Sequence, residues 1–168
     1  IQSGREKLYR ELIDRGHHVL PDRPLPTSGA ELEGAIREML GQADCTVHLV
    51  GQKYGIIPED AANSMAKIQN DMASEQGQSK QDFQRFIWMP RPLITDDERQ
   101  QQFITELQEN PAAHAGAELM EDSLDNFRDY VVEKLQHKAK PAEPPADTRP
   151  SADGPPSVHP IFDKKEDT

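Results

Sequence analysis

The sequence predicts a three-layer α/β fold with a mostly parallel sheet, and three observations carry that expectation. Short apolar runs at 45–50 and 85–89 have the length and continuity of strands buried on both faces. Segments with helical spacing flank them; Leu32, Ile36, Met39, Leu40 and Ala43 form one such stripe. The run at 45–50 closes on Gly51 and enters a loop holding Tyr54 and Gly55. In doubly wound sheets, ligands bind just there, outside the carboxyl ends of the strands.

The elements follow in order. Residues 3–15 read as a helix with Leu8, Leu12 and Ile13 on one face, and Gly16 suits its carboxyl end. Residues 17–21 read as a short strand centred on Val19 and Leu20. A loop at 22–29 holds Pro24, Pro26, Thr27 and Ser28. The second helix covers 30–43 and the second strand 45–50. A polar helix spans 62–75. The strand at 85–89 is stopped by Pro90 and Pro92. Residues 96–109 form a helix carrying Phe103, Ile104 and Leu107, and 117–120 a short edge strand. The last helix, 123–136, presents Leu124, Phe127, Val131 and Leu135 at close to helical period.

This alternation is that of a flavodoxin-like sheet, with one strand to account for. Such a sheet has a strand before its first helix, central in the strand order. The expectation is that a strand precedes Ile1, within about ten residues, and runs between 17–21 and 45–50. Without it, backbone groups of Val19, Leu20, Val47 and Leu49 lack a ladder partner, at roughly 1–3 kcal/mol for each group buried unsatisfied.

The 168 residues suffice for one domain and a tail. The domain is expected over 1–138. From 139 to 168 the composition changes, and half of the 14 prolines lie between Pro141 and Pro160. So little apolar content cannot offset ordering entropy, so 139–168 reads as an extended linker toward a further domain. The net charge of −11 argues against a nucleic-acid partner, because phosphate contacts need a basic surface. No apolar stretch nears the roughly 20 residues of a membrane helix, so no membrane partner is expected. The single cysteine, Cys45, permits no disulfide within the chain, which fits a cytoplasmic location. Its place in a buried strand favours an inert thiol over a nucleophile.

Four stretches resemble the Toll/interleukin-1 receptor (TIR) domain of the bacterial kind, across roughly 5–135. Arg5, Glu6, Lys7 and Leu8, with Gly16 to Pro21, look like the family's first helix and second strand. Pro24, Leu25 and Pro26 look like the exposed loop after that strand. Ala43 to Gly51, with Tyr54 and Gly55, look like the third strand and its loop. Ser64 to Ala73, then Phe86 to Pro90, look like the site helix and the fourth strand.

The resemblance implies two activities. TIR domains associate through the loop after the second strand, here 22–29, so the implied partners are other TIR domains or a second copy. Catalytic members cleave NAD between nicotinamide and ribose, using a glutamate in the helix before the fourth strand. A carboxylate suits that step, since it holds ribose hydroxyls and stabilises an oxocarbenium-like transition state. This chain carries Asp71 at the matching position, with Glu75 one turn later. Aspartate keeps the charge but is shorter by about 1.5 Å, and misplacements near 1 Å cost on the order of 100-fold. Pro24, Ser28, Tyr54 and Ser64 are the implied nucleotide-binding positions. NAD enters as a possible substrate, and no cofactor is required.

Each candidate has a plainer reading beside it. Asp71 also fits a solvated helix position. Tyr54 stacks on a base or covers a strand end. Ser64 lines a pocket or caps a helix. His48, within a buried strand, reads as a core histidine, and Trp88 as core. His17 and His18 lack partners at zinc-ligand spacing, so no metal site is expected. Glu118, Glu121 and Asp122 read as acidic surface. Neither a Walker or dinucleotide glycine loop nor a Gly-x-Ser-x-Gly elbow is present. A response-regulator or flavin-binding role is disfavoured, because the acidic pair after a first strand and the flavin loops have no counterpart here. The sequence therefore favours a signalling or defence interaction module, with NAD hydrolysis as the alternative.

Overall fold

The computed structural model describes residues 1–114 and 116–139; the expected linker at 139–168 falls, from residue 140 on, outside the described residues. Among the described residues, five helices and three strands follow in the order α1 (Gln2–Asp14), α2 (Gly29–Gln42), β1 (Cys45–Leu49), α3 (Met65–Ser79), β2 (Gln84–Trp88), α4 (Glu98–Glu109), β3 (Ala117–Met120) and α5 (Leu124–Ala139). The sheet is parallel throughout, in the order β1-β2-β3. Val47 stands opposite Phe86, and Phe86 opposite Glu118. The predicted three-layer α/β class is the observed one.

Alternating side chains divide β2 between two cores. Phe86 and Trp88 point to one face, where Leu8 and Leu12 of α1 meet Phe127, Val131 and Leu135 of α5. Ile87 and Met89 point to the other, against Phe103, Ile104 and Leu107 of α4. A third cluster joins α2 to α3 through Leu32, Ile36, Leu40 and Ala73, closed by Phe83. Each large apolar side chain so buried contributes roughly 1.5–3 kcal/mol. The Trp88 indole N–H donates to the Asp122 carbonyl at 2.8 Å, which satisfies its one polar atom inside the core.

Two expectations are corrected. No strand forms at 17–21. Val19 packs against the α1–α5 core, yet a strand needs a neighbouring ladder, and among the described residues β1 pairs only with β2. The polar helix runs over Met65–Ser79 rather than 62–75. Ser64 caps it by accepting the Lys67 N–H at 3.3 Å, so the helix starts there. Its last turn is held by Gln76 Nε2, which donates to the Leu40 carbonyl on α2.

Candidate functional site

The carboxyl ends of β1 and β2 open into a cleft of about 570 Å³, walled by the loop after β1 and the segment leading to α4. That volume lies within the range of ligand pockets, roughly 300–1,000 Å³. The local chain dictates its shape. The β1–β2 ladder ends with Val50 N–H donating to the Trp88 carbonyl at 2.8 Å. Gln100, buried on α4, then donates its side-chain amide to the Gly51 carbonyl. Thr95 Oγ1 donates to the Gln52 carbonyl at 2.7 Å and accepts Asp97 N–H at 3.2 Å. These bonds lock the two walls to each other.

Asp97 caps α4 by accepting the Arg99 backbone N–H at 3.0 Å. Its carboxylate also takes a two-pronged contact from the Arg99 guanidinium, at 3.1 and 2.9 Å. The hydrogen bonds from the Arg99 side chain hold the Asp97 carboxyl below the usual carboxylate range. The same guanidinium lies 5.0 Å from the centroid of the Tyr54 ring. Tyr54 is buried, and its hydroxyl donates to Asn63 Oδ1 at 3.3 Å. It therefore closes the strand end and forms the cleft's floor.

Of the sequence-derived candidates, only Tyr54 lines the cleft. Ser64 is fully buried and spends its hydroxyl on the α3 cap. Asp71 lies on α3, with Oδ2 3.2 Å from Lys67 Nζ. Lys67 also reaches Glu106 Oε2 on α4 at 2.8 Å. Burial penalises the Lys67 ammonium, but its hydrogen bonds to the Glu106 and Asp71 carboxylates, with their charges, outweigh that and raise its pKa above the ordinary lysine value. Asp71 is thus tied to a cation by an i, i+4 pair. Glu75, one turn on, is exposed.

Pro24 and Ser28 belong to a separate surface. Ser28 precedes α2 without a side-chain cap, and its carbonyl accepts Leu32 N–H at 2.9 Å. The base of the 22–29 loop is latched to Glu59: Gly29 N–H donates to its carbonyl at 2.8 Å, and its N–H donates to Thr27 at 2.9 Å. Asp22, Arg23 and Pro24 stay exposed above that base. The segment bearing Glu59 also carries Ile56, which is 71% exposed, and the exposed Ile57.

Sequence reasoning missed a buried polar pair beneath α3. Arg85 is 1% exposed, and its Nη2 donates to Asn70 Oδ1 at 3.1 Å and to the Ala113 carbonyl at 3.2 Å. Burial lowers the Arg85 pKa. A charged residue inside an apolar run was the available signal. Among the described residues, no cluster of His, Cys, Asp and Glu stands close enough to hold a metal ion, and no helix is long and apolar enough to cross a membrane. No protein-family model, curated protein or solved structure matches the chain.

Proposed function

We propose that this chain is a TIR-like interaction module of a cytoplasmic bacterial signalling or defence protein, associating with a second copy or another TIR domain through the 22–29 loop. One observation carries the reading. The carboxyl end of the loop is fixed by two backbone hydrogen bonds to Glu59, whose segment exposes Ile56 and Ile57, while Asp22, Arg23 and Pro24 at the loop's other end stay exposed. A loop anchored at one end loses less conformational entropy on docking than a free one, and the exposed isoleucines of the anchoring segment offer apolar area to bury.

NAD cleavage is the second reading, and the geometry favours it less. A nucleotide-cleaving carboxylate belongs at the wall of a cleft. Neither Asp71 nor Glu75 lines the cleft at the strand ends, and Asp71 is paired with Lys67.

Analytical ultracentrifugation of the intact chain tests the association. Self-association weakened at least about tenfold by Pro24→Asp or Ile56→Asp, with an unchanged unfolding midpoint, supports it. A monomer at concentrations up to about 1 mM overturns the self-association. Nicotinamide release from NAD, abolished by Asp71→Ala, overturns the preference for association over hydrolysis.

A further inference from the structure

The cleft at the carboxyl ends of β1 and β2 carries charges of both signs, and they divide into two that are spent and two that are free. Asp97 accepts from the Arg99 guanidinium at 3.1 and 2.9 Å, and that guanidinium lies 5.0 Å from the centroid of the Tyr54 ring. Asp97 and Arg99 thus satisfy each other above the floor. Lys53 and Asp96 line the same cleft from its two walls, and both are exposed. Their side chains make no hydrogen bond or ion pair, with each other or with any other described residue.

The walls set these two groups side by side. Thr95 Oγ1 donates to the Gln52 carbonyl at 2.7 Å, and the Gln100 side-chain amide donates to the Gly51 carbonyl. Lys53 and Asp96 each follow directly on a partner of the first bond. Their backbones are therefore fastened together, and an ammonium and a carboxylate face one cleft without pairing. Walls already joined in this way need little ordering when a ligand enters.

The charges select the ligand. The amino terminus of α4 would be the natural seat of a phosphate. Asp97 already occupies it, accepting the Arg99 backbone N–H at 3.0 Å, and Asp96 and Glu98 add two more carboxylates. A net anion therefore gains little. A simple cation meets Lys53. A ligand with both charges suits both walls: its carboxylate accepts from the Lys53 ammonium, and its own ammonium donates to the Asp96 carboxylate. Each is a charge-assisted hydrogen bond, roughly twice as strong as a neutral one. Ile94, 67% exposed, lines the cleft beside them and offers an apolar surface. The volume of about 570 Å³ leaves room for an apolar group as well as the two charged ones.

We infer that the cleft binds a free α-amino acid with an apolar side chain, its carboxylate at Lys53, its ammonium at Asp96 and its side chain on Ile94. That class joins both charges and an apolar group through one carbon, which is the combination the two walls offer.

NMR titration of the intact chain with L-leucine tests the site. Two blocked ligands run beside it: N-acetyl-L-leucine, which lacks the ammonium, and L-leucinamide, which lacks the carboxylate. L-Leucine should shift the backbone amides of 52–55 and 94–97 and saturate at about 0.1–10 mM. Blocking either charge should weaken binding at least about tenfold. Lys53→Gln and Asp96→Asn should do the same, with unchanged unfolding midpoints. No saturable shift up to about 50 mM overturns the site. So does equally tight binding of either blocked ligand, or of L-leucine to both variants. Saturable shifts of the same amides by inorganic phosphate, with none by L-leucine, reassign the cleft to an anion and overturn the proposal. Shifts there that grow with protein concentration in the absence of leucine, and vanish in Pro24→Asp, assign the cleft to a second copy and overturn it too.

Discussion

Lys67 on α3 reaches across to Glu106 on α4, with Nζ 2.8 Å from Oε2. Asp71 shares the same ammonium from the next turn of α3, at 3.2 Å. One cation so holds two carboxylates and fastens two helices on the same face of the sheet. The Lys67 side chain is only 17% exposed, and 5.5 Å separates its ammonium from the Phe103 ring centroid. This cation is thus less screened than one at an ordinary surface pair.

Replacing Glu106→Gln should cost about 1 kcal/mol at neutral pH, because the carboxylate itself is partly exposed. The alkaline limb carries the sharper signal. The folded Lys67 pKa is raised, so its stabilisation is fully present below the ordinary value of 10.5 and is lost as pH rises through the folded value. Urea midpoints of the unmodified protein should fall above that pH, and those of Glu106→Gln should fall less. Parallel alkaline limbs would show that Glu106 does not hold the cation.

His48 sets the acid limb. Burial, assisted by the Arg85 charge, lowers its pKa from 6.5 to about 4. Between those values the unfolded chain binds the extra proton and the folded chain does not, so stability falls as pH drops. The loss should total about 3 kcal/mol over that window. Substitution His48→Leu should flatten the limb, read as urea midpoints from pH 7 to pH 4. An unchanged slope would mean that His48 is protonated in the fold, or that the limb comes from carboxylates alone.

Asn70 carries a cost that its exposed neighbours on α3 do not. Its side-chain oxygen accepts from the buried Arg85 at 3.1 Å. Replacement Asn70→Ala removes one acceptor from a buried guanidinium, which should cost about 2–4 kcal/mol. The double change Asn70→Ala with Arg85→Met should recover part of that loss, since the charge that needs the acceptor is gone. Denaturant titration of the two variants checks this. A double variant less stable than the single one would mean that Arg85 contributes mainly through its other contacts.

The layout of the domain was legible where a local pattern had a local cause. Apolar stripes at Leu32, Ile36 and Leu40, and at Phe127, Val131 and Leu135, mark helix faces because those residues share one side at helical period. The runs through Val47 and through Phe86 mark strands because continuous apolar residues suit burial on both faces. The capping reading of Ser64 before α3 was equally local, since a cap needs only one turn of chain. Residues 17–21 show the limit. Val19 and Leu20 have strand composition, but a strand exists only with a ladder beside it, and among the described residues no strand pairs with this segment.

Amino-acid order alone determined the class of the fold, the order of its elements apart from the expected strand at 17–21, and the end of the sheet where a cleft opens, because periodicity and chain breaks act within a few residues. Only the tertiary structure decided which side chains meet. Lys67 meets Glu106 across 39 residues, Gln100 meets Gly51 across 49, and Thr95 meets Gln52 across 43. Such contacts depend on how helices and loops close over the sheet, and no local spacing encodes them. The same closure placed Tyr54 beneath Arg99, and left the backbone of Val47 and Leu49 facing an edge with no strand among the described residues.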